Sequence, residues 1–185
     1  MRPYKILSNG SLQRHDGEFY HPRTIHADYV DAEHLQMHVL TFEVPDRGAI
    51  GIKVNYTCHC WTQSCDPIDH PGAIIFMDGR KPRIFSSERF GFSLALPQML
   101  AGLNNLRIYE TGSLRNHGCY NSDVVLPDGT AYTVFFTLRR DRGKWSGTRY
   151  HISLEVESAY YLSQPGPGRK VSFTNAVVSV LRSQI

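Results

Sequence analysis

Three thiols and two imidazoles crowd one short stretch, Cys58-His59-Cys60-Trp61-Thr62-Gln63-Ser64-Cys65 with His70 beyond it. Tetrahedral zinc is held by these ligand types. Cys58, Cys60, Cys65 and His70, with Cys119 as an alternative to His70, are therefore the candidate metal ligands. Their spacing argues against the assignment. Zinc turns commonly use two cysteines separated by two residues, whereas one residue separates Cys58 from Cys60. On an extended strand those two side chains share a face. That face reads as core, where a free cysteine behaves as a small hydrophobe. The expectation is a protein with no metal and no cofactor.

The opposite face of the same stretch offers His59 with Thr57, Asn55 and Lys53. Further on, His151, Glu155 and Glu157 project together from one strand, and Thr137 and Arg139 from another. If strand order brings these faces together, the surface holds the groups that metal-independent RNA cleavage requires. These are a base for the 2′-hydroxyl, an acid for the leaving oxygen, and a cation for the phosphorane. In that reading His59 is the base or acid, and Arg89 or Arg139 clamps the phosphate. Glu157 or Tyr160 is a second proton-transfer or orienting group. The structural alternative is an ordinary solvated sheet face.

A third cluster runs from Arg139 to Arg149. Arg139, Arg140, Arg142, Lys144 and Arg149 surround Trp145. Cations would hold phosphates and the indole would stack on a base; the alternative is a charged hairpin tip with no ligand. A fourth, Ser86-Ser87-Glu88-Arg89, places an arginine near a helix start, where anions are favoured. No P-loop, G-x-G-x-x-G, G-x-S-x-G or H-E-x-x-H is present, and His15-Asp16 is an isolated dipeptide.

Taken in order, His59-Cys60-Trp61-Thr62, Arg89-Phe90 with Ser93 and Leu96-Pro97, Glu157-Ser158-Ala159-Tyr160 and an amphipathic C-terminus resemble a family of small uncharacterised bacterial and phage proteins. The resemblance covers about residues 37–185. It implies a prokaryotic or phage setting and supplies no activity. The hairpin-rich pattern is also similar, at the level of fold alone, to small RNase toxins of the RelE-like and barnase-like groups. Cys58 and Cys65 depart from the family pattern.

The elements that must position these residues are mostly strands. Ten tyrosines and nine phenylalanines, with many Val, Ile and Thr, favour sheet over helix. Alternation predicts strands over Val39–Val44 and Ala49–Cys60, joined by Pro45-Asp46-Arg47-Gly48. A short strand is expected at 73–77, before the Asp78-Gly79 turn. Further strands are expected at 106–109, 131–138 and 150–158, with 139–149 as a long basic turn and 110–122 as a loop. A helix capped by Ser86 or Ser87 runs toward Leu96, and a second runs from Pro97 to Ala101. Phe173, Ala176, Val177, Val180 and Leu181 follow the helical period. Residues 1–36 read as an irregular polar leading segment, and 163–170 as a Pro/Gly connector.

The length of 185 residues suits one domain. The expected fold class is α+β, a mostly antiparallel twisted sheet with two or three helices on one face. A net charge of +3 is too small to announce nucleic-acid binding by itself. No stretch has the roughly 18 apolar residues of a membrane span, and the N-terminus lacks a signal peptide's apolar run. Free thiols then suggest a reducing, cytoplasmic setting. The expected function is a metal-independent ribonuclease-like toxin or phage-defence effector acting on RNA. The alternatives are a non-catalytic module binding nucleic acid or a protein partner, and a small zinc-stabilised protein.

Overall fold

The computed structural model describes residues 4–6, 12–14, 19–20, 32–66, 68–73, 75–105, 107–110, 118–125, 131–162 and 169–182. The chain opens with β1 (Tyr4–Ile6), β2 (Leu12–Arg14) and β3 (Phe19–Tyr20), then β4 (His38–Val44) and β5 (Gly48–Tyr56). β6 (Thr62–Ser64), β7 (Phe76–Asp78) and β8 (Lys81–Phe85) precede α1 (Ser87–Ser93) and α2 (Leu96–Ala101). The remaining elements are β9 (Arg107–Glu110), β10 (Gly118–Val125), β11 (Ala131–Trp145), β12 (Thr148–Leu162), β13 (Arg169–Ser172) and α3 (Phe173–Arg182). The fold is α+β, as the sequence implies.

Two sheets form instead of one. The smaller has the order β3-β2-β1-β7-β8-β6, the larger β13-β9-β10-β11-β12-β5-β4. Most pairings are antiparallel, but β1 joins β7 and β5 joins β12 in parallel. Alternation explains the core of the larger sheet. Phe42 and Val44, Ile50 to Tyr56, Tyr132 to Leu138, and Ile152 to Val156 each bury alternate side chains on one face. Leu96, Leu100 and Leu103 pack on that face, and Phe173 of α3 sets its ring edge-on to Phe42 and Phe136.

Several sequence expectations change. β5 stops at Tyr56, and Cys58–Cys60 is a 3₁₀ turn capped by Thr57. The basic segment 139–149 is not a long turn: β11 and β12 continue to Trp145 and Thr148 around Ser146-Gly147. There φ is positive at both residues, 46° and 85°. That conformation suits glycine and the tight hairpins that match strand twist. The loop expected at 110–122 gives way to strand β10 from Gly118 onward, and Arg169-Lys170 begin β13. Among its described residues the leading segment holds three short strands; His15, Asp16, His21, His26 and the connector at 163–168 lie outside the described residues. Among those described, no helix is long and apolar enough to cross a membrane.

Candidate active site

The site is built on a strand irregularity. β11 and β12 pair regularly until Phe136 meets Val156; beyond it Phe135 meets Ser158, so Glu157 is the extra residue of a bulge. The bulge reverses the alternation, which is why Ala159 is buried after Ile152, Leu154 and Val156. It also leaves carbonyls for the neighbouring chain. Thr57 donates its N–H to the Val156 carbonyl at 3.0 Å and its hydroxyl to the Glu157 carbonyl at 2.7 Å. The same hydroxyl oxygen accepts the His59 N–H at 3.2 Å, capping the turn. Thr57 thus lifts the chain off β5 and starts a turn that swings His59 away from the sheet face.

Three further groups hold that turn. Thr62 Oγ1 donates to the Cys58 carbonyl at 2.7 Å. Buried Arg83, on β8, donates to both Thr62 Oγ1 and the Thr62 carbonyl. Arg89, in the first turn of α1, donates Nη1 to the carbonyls of His59 and Thr62 at 3.2 Å each. Its guanidinium lies 5.3 Å from the ring centre of Tyr160, a cation–π distance.

The imidazole meets the smaller sheet. His59 Nε2 lies 2.7 Å from Asp78 Oδ2. Asp78 ends β7, where it pairs with Lys81 across a tight turn whose Gly79 has φ of 60°. His59 is half-buried, and this burial lowers its pKa below the ordinary 6.5; Arg83 and Arg89 add to the effect while the Asp78 hydrogen bond opposes it. The neutral ring predominates near pH 7. A carboxylate oxygen accepts, so Nε2 carries the hydrogen and Nδ1 keeps a basic lone pair. Cys58 is no ready nucleophile, because burial, with Asp78 adding, pushes its thiol up to about 11.

The residues singled out in the sequence divide into groups. His59, Arg89 and Tyr160 come together, joined by Asp78 and Arg83. Glu157 contributes its carbonyl to the turn, but its carboxylate faces Thr137, Glu155 and Arg139. Burial, followed by Glu155, raises its pKa. Lys53, Asn55, Thr137, Arg139 and Glu155 do share one sheet face, since Lys53 and Arg139 both pair with Ser153, and Asn55 and Thr137 with Glu155. His59 is not on it. Exposed Arg139 and half-buried Arg140 pair with Ser153 and Ile152 in the middle of β12, whereas Arg142, Lys144 and Arg149 are exposed on the hairpin at its other end. From Arg149 to Glu157 the strand runs about 26 Å at ~3.3 Å per residue.

The thiols and His70 also separate. Cys60 is fully buried, with Sγ 3.8 Å from the Val156 carbonyl. His70 turns to Gln63 and to the backbone of Asp66. Cys58 instead lies beside His59 and Asp78, their ligand atoms all within 4.8 Å of one another. The side chain of Cys119 lies outside the described residues. Ser93 is buried, within 2.8 Å of His34 Nε2, and donates to the Phe90 carbonyl; it braces α1.

Asp78 and Arg83 are the members that sequence reasoning misses. In the sequence Asp78-Gly79 reads only as a turn, and Arg83 only as one of a small basic cluster with Arg80 and Lys81.

A family model described as the YjaZ family matches residues 22–181. No curated protein and no solved structure matches the chain.

Proposed function

The chain belongs to the YjaZ family, a membership that supplies no activity, and from the geometry of the His59–Asp78 pair we propose that it cleaves RNA without a metal, using His59 as the base. The 2.7 Å contact between His59 Nε2 and Asp78 Oδ2 carries the reading. It orients a half-exposed imidazole, fixes its tautomer and offsets the charge the ring acquires when Nδ1 takes a proton. That proton comes from a 2′-hydroxyl. The 2′-oxygen attacks phosphorus and the bond to the 5′-oxygen breaks on the opposite face, where that oxygen takes a proton from solvent water; the imidazolium then returns its own proton to solvent. The products are a 2′,3′-cyclic phosphate and a 5′-hydroxyl. Arg89 has donors left beyond the Nη1 bonds to the His59 and Thr62 carbonyls, and these can meet the phosphorane. Tyr160 positions Arg89. Glu157 acts through its carbonyl, as part of the scaffold. No cofactor is needed for such a step.

Purified protein incubated with mixed single-stranded and structured RNA tests this. Cleavage should survive EDTA. It should fall roughly 10²- to 10⁴-fold in His59→Ala and substantially in Asp78→Asn. RNA left intact by the wild type, or cut equally by His59→Ala, rejects the proposal. A prokaryotic or phage setting and a toxin-like or defence role belong to the same reading, and growth arrest dependent on His59 in expressing cells would support them.

One observation favours a second reading, a non-catalytic nucleic-acid-binding module. Trp145 is 45% exposed at a hairpin tip surrounded by cations. Salt-dependent RNA binding without turnover would select it.

A further inference from the structure

We infer that Cys58, His59 and Asp78 form a binding site for a thiophilic divalent cation of the zinc class. Three ligand atoms of the right kinds converge, one thiol sulfur, one imidazole nitrogen and one carboxylate oxygen, all within 4.8 Å of one another. Three protein ligands with a water or substrate atom completing the tetrahedron is the arrangement of catalytic zinc.

The ligands are also held. Cys58 and His59 are consecutive residues of a turn fixed at both ends, by Thr57 on the bulge carbonyl and by Arg89 and Thr62 on the turn's own carbonyls. Asp78 stands on a hairpin strand. Zinc bonds of about 2.0 Å to nitrogen and oxygen and about 2.3 Å to sulfur set roughly 3.3–3.5 Å between ligand atoms. The sulfur can meet this range, and the His59–Asp78 pair must open by roughly half an ångström. Binding breaks that hydrogen bond, turns the ring so that Nε2 presents its lone pair with the hydrogen on Nδ1, and releases the Cys58 thiol proton to solvent.

Charge balances as well. A thiolate and a carboxylate neutralise a divalent ion. That balance suits a pocket beside buried Arg83, where an uncompensated cation would be repelled. Hard cations such as Mg²⁺ prefer oxygen ligands in an octahedron and fit this donor set poorly.

The metal would occupy the same His59 and Asp78 that the cleavage reading uses, so the two readings compete and the test is spectroscopic. Reduced, metal-stripped full-length protein is titrated with Co²⁺. The expected result is one tight equivalent, with visible bands of tetrahedral intensity and a near-ultraviolet thiolate-to-cobalt band, displaced by Zn²⁺. Cys58→Ser should abolish the charge-transfer band and Cys65→Ser should retain it. Because Cys58 is buried and its replacement can unfold the chain, half-exposed His59→Gln and Asp78→Asn are measured too, with circular dichroism to confirm folding. Each should weaken Co²⁺ binding at least tenfold. Absence of the bands in wild type, or a charge-transfer band that persists in folded Cys58→Ser, overturns the inference. EDTA-resistant cleavage with no cobalt bands would keep the acid–base reading and reject the metal site; bands without cleavage would do the reverse.

Discussion

Arg83 Nε donates to Thr62 Oγ1 at 2.7 Å while its Nη2 donates to the Thr62 carbonyl at 2.8 Å. The Thr62 hydroxyl passes the polarity on to the Cys58 carbonyl. A buried cation on one strand therefore steers the turn that carries His59. Thr62→Val keeps the shape and removes the relay, leaving an Arg83 donor and the Cys58 carbonyl without their partner. A stability loss of about 1–3 kcal/mol is expected, read from urea midpoints at constant m-value. An unchanged midpoint would show that the relay holds nothing.

Protonation of His59 should weaken the fold. Its folded pKa lies below the ordinary 6.5, so between those values the unfolded chain binds more protons than the folded one. Stability then rises with pH through that interval and falls as acid is added. Urea midpoints measured between about pH 5 and 7 should slope upward in wild type. The slope should be shallower in His59→Gln. Equal slopes would mean that His59 is not a depressed group.

Among the described residues, the buried hydroxyls of Tyr56 and Tyr132 have no hydrogen-bond partner. Replacing an unsatisfied hydroxyl by hydrogen removes a desolvation cost and no bond. Tyr56→Phe and Tyr132→Phe should leave the thermal midpoint unchanged or raise it. A clear drop in either would reveal a partner that the hydroxyl finds in solution.

Gly51 lies where β5 runs close alongside the start of β12. A Cβ there would overlap the Arg149 carbonyl oxygen and sit 2.9 Å from Tyr150 Cα. Backbone cannot yield as a side-chain tip can, so Gly51→Ala should cost about 2 kcal/mol or more. The loss should appear in the global unfolding midpoint, because the β5–β12 pairing joins the β4–β5 hairpin to the rest of its sheet.

Neutralising Arg139, Arg142 and Lys144 together tests the hairpin as a phosphate contact. If all three bind single-stranded RNA, the slope of log affinity against log salt should shrink by about 2. An unchanged slope would mean that the tip is solvated charge and nothing more.

The regular part of the fold is legible in the sequence. Alternation marks β4 and β5 because one sheet face is buried, and the Ser86 cap and Pro97 mark the two short helices. Alternation also misleads: Cys58 and Cys60 continue the period of β5 in the letters alone, and the capping threonine between Tyr56 and Cys58 is easily taken for another strand residue. The bulge at Glu157 is a property of paired strands, so one strand's letters do not announce it. Asp78 reaches His59 only because the two sheets meet there, and no local pattern encodes the meeting of two sheets. Basic residues at 139–149 suggest a turn by composition, yet the hairpin reverses in the two residues Ser146-Gly147.

The parallel pairing of β5 with β12 sets an order of events in biosynthesis. Ile52 aligns with Ile152, so the edge β5 presents opposite β4 waits for a hundred more residues before its partner exists. Loop closure over that span must precede any reward from the pairing, while the β4–β5 hairpin closes locally. During translation the nascent chain therefore carries an apolar strand with unpaired backbone groups, open to other chains. The yield of folded protein should depend on how quickly synthesis reaches β12, and slowing translation after β5 should favour aggregation over assembly.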